Sequence, residues 1–181
     1  LILGGQKSGK SRRAEQLAAA WLAQDARHGA LLVATALAHD AEMRARIDRH
    51  RADRAERLPA LGCLEEPRAL ADAIAANSAP HRLIVVDCLT LWPTNRLMPV
   101  GEPDTAAQWA AAQDELVAAL QAAPGPVVLV SNEIGLGVIP LGEEVRAFVD
   151  AMGTLNQRVA SVCDRVCFMA AGLPMMLKDR A

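Results

Sequence analysis

The sequence predicts an α/β fold in which a mainly parallel sheet is covered by helices on both faces. Two observations carry this. Short apolar, β-branched runs alternate with longer Ala/Leu/Arg-rich helical runs, and the apolar runs are continuous instead of alternating with polar residues. Continuous runs belong to strands buried on both faces. The strand runs are 1–3, 30–35, 82–87, 126–131 and 165–169, and helical patterns cover 10–27, 40–56, 67–77, 105–122 and 142–163. After Met169, Ala171-Gly172-Leu173-Pro174 reads as a turn and 175–178 as a last strand, which predicts an antiparallel hairpin at the C-terminal edge. With 181 residues, the whole of 1–181 suits one domain around one core.

Composition narrows the function. A hydrophobic fraction of 52% suits a folded chain, and 19 basic against 21 acidic residues give a net charge of −2. That balance argues against a general nucleic-acid or anionic-membrane binder. Only Lys7, Lys10 and Lys178 are lysines, so arginine dominates the basic residues. No apolar stretch approaches the roughly 20 residues of a membrane span. No secretory leader is visible, and the chain opens directly on a strand, so native residues are expected before Leu1. Cys63, Cys88, Cys163 and Cys167 form no C-x-x-C pair and have no histidine pair at zinc spacing. They read as reduced, mostly buried thiols of a cytoplasmic protein.

The strongest local signal is Gly4-Gly5-Gln6-Lys7-Ser8-Gly9-Lys10-Ser11, which fits G-x-x-x-x-G-K-[ST] between a strand and a helix. Glycines let backbone N–H groups turn inward around phosphate oxygens, and the helix N-terminus adds partial positive charge. Lys10 is expected to reach the β- and γ-phosphates, and Ser11 to place its hydroxyl on Mg²⁺. The buried run 83–86 ends in Asp87, the expected second Mg²⁺ group. A further run, 127–130, ends in Ser131-Asn132-Glu133, which belongs near the phosphates because ligands bind at the carboxyl ends of parallel strands.

The segment 40–57 interleaves Arg44, Arg46, Arg49, Arg51, Arg54 and Arg57 with Asp40, Glu42, Asp48, Asp53 and Glu56. On composition it is a solvated helix laced with i,i+4 ion pairs, and His50 a surface histidine. A second reading stays open. In it His50 is a nucleophile, and the same arginines suit a triphosphate and its departing pyrophosphate. His28, His39 and His81 sit beside element ends as surface or capping groups. Trp21, Trp92 and Trp109, in separate segments, read as core or interface residues.

Taken together, the P-loop residues and Asp40-x-Glu42-Met43-x-x-Arg46-Ile47-x-x-His50 resemble the bifunctional adenosylcobinamide kinase / adenosylcobinamide-phosphate guanylyltransferase family. Glu65-x-Pro67, Asp87-Cys88-Leu89-Thr90-Leu91-Trp92, Asn95, the run from Val130 to Gly135, Asn156-Gln157, Asp164 and the 171–178 tail extend the likeness over nearly the whole chain. The resemblance implies a RecA-like P-loop fold, a homotrimer, and two reactions sharing one pocket. A nucleoside triphosphate (ATP or GTP) phosphorylates the aminopropanol hydroxyl of adenosylcobinamide. GTP then guanylylates a histidine, which passes GMP to adenosylcobinamide phosphate. By this resemblance the histidine is His50, and nucleotide contacts fall on Gly4, Gly5, Gln6, Lys7, Ser8, Gly9, Lys10, Ser11, Ala34, Thr35, Ala36, His50, Arg51, Ala52, Asp53, Glu65 and Asp87. Three departures stand out: Gln6-Lys7 replaces Ala-Arg, Pro93 replaces an aliphatic residue, and no tryptophan precedes Glu65-x-Pro67. A monofunctional small-molecule kinase with an inert His50 is the main alternative.

Overall fold

The computed structural model describes residues 1–38 and 40–180, so the role expected for His39 lies outside the described residues. Seven strands form one sheet: β1 (Ile2–Gly4), β2 (Gly29–Ala34), β3 (Leu61–Glu65), β4 (Arg82–Asp87), β5 (Val127–Val130), β6 (Arg165–Ala170) and β7 (Leu173–Asp179). Their order is β3-β2-β4-β5-β1-β6-β7. All neighbours are parallel except β6 and β7, which make the expected hairpin. Among the described residues six helices accompany them: α1 (Lys10–Leu22), α2 (Ala41–Arg57), α3 (Leu70–Asn77), α4 (Leu91–Leu97), α5 (Ala106–Ala122) and α6 (Glu143–Val162).

Strand alternation divides the core. Val33, Ile84, Val86 and Leu129 point to the face covered by α3, α5 and α6, where Leu70, Ile74, Leu116, Leu155 and Val159 are fully buried. Ile2, Leu32, Leu83, Val85 and Val130 point the other way, onto Ala14 and Ala18 of α1. Trp92 and Trp109 are core residues with ring centroids 5.0 Å apart, as expected. Trp21 is half-buried, and it stacks on His28 at 3.7 Å while donating to the Gly29 carbonyl. Leu155→Ala should cost about 2–5 kcal/mol, read from a urea unfolding midpoint, because a fully buried leucine leaves a cavity.

Four sequence expectations change. The pattern at 10–27 ends at Leu22, because Asp25 accepts from the Arg27 backbone N–H at 2.9 Å and closes a turn. Strand β3 went unread, since a short edge strand carrying Gly62 and exposed Cys63 lacks an apolar run. Helix α4 went unread because it has seven residues and contains Pro93, which its first turn accommodates without breaking the helix. The thiols are less buried than expected, with Cys63 exposed, Cys88 and Cys163 half-buried and Cys167 buried.

Local chemistry explains the helix starts. Thr105 and Gln108 form a capping box at α5, and the Asp40 carboxylate accepts from the Met43 N–H at 2.7 Å at α2. At the other end of α6, Lys178 donates to the Ala160 and Ser161 carbonyls.

Candidate nucleotide site

The P-loop links β1 to α1. Lys7 (φ 57°) and Gly9 (φ 100°) adopt left-handed backbone there, winding the loop into a cradle. Gly4 has φ 149°, and a Cβ on it would meet the Met169 carbonyl oxygen at 2.5 Å, so only glycine fits. The β6–β7 turn braces the cradle through the Gly172 N–H, which donates to the Ser8 carbonyl at 3.0 Å. The Ser8 hydroxyl is buried with no partner among the described residues. No side chain caps α1, so its first-turn N–H groups remain available to an anion, unlike those of α2 and α5. Gln6 and Lys7 are exposed at the rim, and Ser11 is half-buried at the start of α1.

Lys10 is buried, and its Nζ donates to the Gly5 carbonyl at 2.6 Å. Burial holds its pKa below the usual lysine range, an effect opposed by the nearby Cys88 and Asp87 side chains. Lys10 and Asp87 are thus near enough for their charges to interact.

Sheet register assembles the other expected residues. Glu65 pairs with Ala34, Ala34 with Asp87, and Asp87 with Val130, forming one row at the carboxyl end of the sheet. Residues of one row point to one face, and Val130 packs on the α1 side. Glu65, Ala34 and Asp87 therefore share the face of Lys10. Thr35 alternates away from it. Its fully buried hydroxyl donates to the Cys88 carbonyl at 2.7 Å and accepts from the Cys88 N–H at 3.1 Å, fixing the turn after Asp87. Ala36 is half-buried in the loop that follows.

Helix α2 is tied to this face by two ion pairs. Arg51 pairs with Glu65, and Arg57 donates to both oxygens of Glu15 at 2.9 and 3.1 Å. From the Arg57–Glu15 contact, His50 lies about 10 Å up α2 and Lys10 about 7.5 Å up α1, both toward the carboxyl end of the sheet. Met43, Ile47, His50 and Arg54 recur at spacings of four, three and four, so they form one stripe; Met43, Ile47 and Arg54 are its half-buried members. His50 is exposed within that stripe. Ala52 lies about 200° round the helix from it, and Asp53 approaches Arg57 at 4.0 Å. Of the expected α2 contacts, His50 and Arg51 are thus best placed. A cavity of 470 Å³ opens beside Arg51, lined also by Arg54, Leu58, Leu61, Cys63 and Glu65.

Three polar residues near the site carried no role in the sequence reading. The Thr90 hydroxyl accepts from the Asn132 N–H at 2.9 Å, and Asn156 donates to the Asn132 carbonyl at 3.2 Å while accepting from Ser131 at 2.7 Å. Buried Asn95 donates to the Thr35 and Pro67 carbonyls. Their signal was chemical: amides and hydroxyls inside apolar segments must find partners. Glu133, expected near the phosphates, has its N–H on the Gly4 carbonyl at 3.1 Å, at the P-loop entrance.

The two cysteines of this region should differ in reactivity. Burial, with Asp87 adding to it, pushes the Cys88 thiol up to about 11, whereas Cys63 is exposed. Iodoacetamide at pH 8 should label Cys63 and spare Cys88, as peptide mapping would show.

The chain was compared with known proteins. The family model described as cobinamide kinase / cobinamide phosphate guanyltransferase matches residues 1–177. A Pseudomonas aeruginosa protein named bifunctional adenosylcobalamin biosynthesis protein CobP is 47% identical, over 98% of this chain and 96% of its own. A Salmonella typhimurium protein named bifunctional adenosylcobalamin biosynthesis protein CobU is 37% identical, over 98% of both. A solved structure from Pyrococcus horikoshii aligns with a TM-score of 0.53 at 9% identity, over 99% of this chain and 85% of that one. That likeness concerns the fold alone, a mostly parallel sheet flanked by helices. The chain belongs to the cobinamide kinase / cobinamide phosphate guanyltransferase family.

Proposed function

We propose that this enzyme phosphorylates the aminopropanol hydroxyl of adenosylcobinamide with ATP or GTP, then transfers GMP from GTP through His50 to give adenosylcobinamide-GDP. The observation that carries the reading is the tethering of the His50 helix, through Arg51–Glu65, to the sheet end that bears the P-loop and Asp87. One triphosphate pocket can then serve both reactions.

In the first, the substrate hydroxyl attacks the γ-phosphorus and the bond to the β-phosphate oxygen breaks. Lys10 and the α1 N-terminus hold the oxygens on which charge accumulates. In the second, the His50 imidazole attacks the α-phosphorus of GTP, forming a P–N bond as pyrophosphate leaves. An oxygen of adenosylcobinamide phosphate then attacks the same phosphorus, and the P–N bond breaks to free His50. The Ser11 hydroxyl and the Asp87 carboxylate are oxygen donors of the kind Mg²⁺ takes, so the residues present fit the ion. When bound, Mg²⁺ neutralises phosphate charge. Gly4, Gly5, Gln6, Lys7, Ser8 and Gly9 line the phosphates, while Ala34, Ala36, Arg51 and Glu65 surround the rest of the nucleotide and Thr35 holds the turn after Asp87.

The working form in this reading is a homotrimer, and the cytoplasm is a location suited to free thiols. Support for self-association comes from β7, an edge strand with Leu173, Met175, Met176 and Leu177 all exposed.

The test is intact-protein mass after incubation with GTP and Mg²⁺. An acid-labile gain of one GMP is expected. Cobinamide phosphorylation with no adduct would replace this reading with that of a simple kinase.

A further inference from the structure

We propose that the segment 131–141 after β5 is the seat of the corrinoid acceptor, its apolar crest receiving one face of the macrocycle. The inference rests on the acceptor chemistry proposed above and adds where that acceptor binds.

The root of the segment is rigid and stands beside the reacting phosphates. Strand β5 lies between β1, which carries the P-loop, and β4, which carries Asp87. The Ser131 N–H donates to the Ile2 carbonyl at 2.9 Å, and the Glu133 N–H donates to Gly4 at 3.1 Å. Asn132 is held on its other side by Thr90 and Asn156. The backbone here is fixed from three elements, while no hydrogen bond engages the Asn132 side chain among the described residues.

The crest is the opposite in character. Leu136, Val138, Ile139 and Leu141 are 76%, 97%, 77% and 98% exposed. The shape is nevertheless held. Glu133 accepts from the Gly135 N–H at 2.7 Å, and Arg146 donates to the Pro140 and Leu141 carbonyls at 3.0 and 2.5 Å. Four aliphatic side chains within six residues, offered to water on a braced loop, mark a binding surface.

The position of the crest selects its occupant. A hydroxyl on a short flexible arm can reach the γ-phosphate only if the macrocycle rests within an arm's length of the P-loop. The crest springs from the residue bonded to Gly4, so it meets that condition. A corrin is broad and flat with apolar faces and a rim of amides, which matches aliphatic side chains above and the Asn132 amide and Glu133 carboxylate at the root. Met98 and Val100, 50% and 90% exposed in the loop after α4, stand at the same end of the sheet and supply further apolar surface. A second copy of the chain has a different apolar surface to use, strand β7, separated from β5 by β1 and β6.

The test compares wild type with a Leu136→Gln/Val138→Gln/Ile139→Gln variant, whose altered side chains contribute little to the fold. Calorimetric titration with cobinamide should show the dissociation constant raised about ten-fold or more. The GMP adduct formed from GTP alone, and the sedimentation coefficient, should match wild type. Unchanged cobinamide affinity in a variant that still forms the adduct would overturn the seat. A smaller sedimenting species would also overturn it, by placing the crest between copies. If the wild type itself binds no cobinamide, the acceptor reading falls together with the seat.

Discussion

His50→Ala should eliminate the GMP adduct and lower guanylyl transfer by at least about 10⁴-fold, because removing the atom that forms the P–N bond leaves no covalent route. Phosphorylation of adenosylcobinamide should persist within a few-fold, so the variant accumulates adenosylcobinamide phosphate. The split is expected because His50 is exposed on α2, and the P-loop with Asp87 is built from other elements. Stability should hardly change, since alanine is the better helix former at an exposed position. Intact mass and chromatography of the corrinoid products read both halves at once. An adduct of undiminished extent on the variant would remove His50 from the mechanism and direct attention to another nucleophile.

Lys10→Ala should behave differently, depressing both reactions by about 10²–10³-fold. Both need the triphosphate held, and Lys10 is the buried cation of the cradle, with Asp87 near it. Lys10→Arg should rescue little. The Nζ rests 2.6 Å from the Gly5 carbonyl, and a planar guanidinium is larger and presents its donors in a fixed fork. The fold should survive, because burial already disfavours the charged form of this side chain and its removal deletes that cost. Steady-state rates for the two half-reactions, beside a thermal melt, check all three points. If Lys10→Ala spared guanylyl transfer while losing phosphorylation, the two reactions would not share a phosphate cradle.

The mainly parallel sense of the sheet, the P-loop motif and the terminal hairpin were legible in the sequence because each depends on local chemistry. Continuous Val/Ile/Leu runs require two covered faces, and Gly4 and Gly9 stand where the backbone turns in ways other residues resist. Elements whose cause is not local escaped. Strand β3 exists because β2 offers it an edge, and α4 because Trp92 and Asn95 find carbonyl partners at Arg68, Thr35 and Pro67.

The candidate site divides in the same way. Sequence alone picked out the glycine-rich loop between β1 and α1, Asp87 as the acid ending a buried strand, and a histidine set among arginines. It could not say that Glu65, Ala34 and Asp87 share one row, that the Thr35 hydroxyl is spent on the Cys88 peptide, or that Arg51 pairs with Glu65. These relations join residues up to 53 positions apart, as with Thr35 and Cys88. Only strand register and the alternation of side chains across the sheet decide them. Periodicity fixes which face a residue takes within its own element, and packing fixes what that face meets.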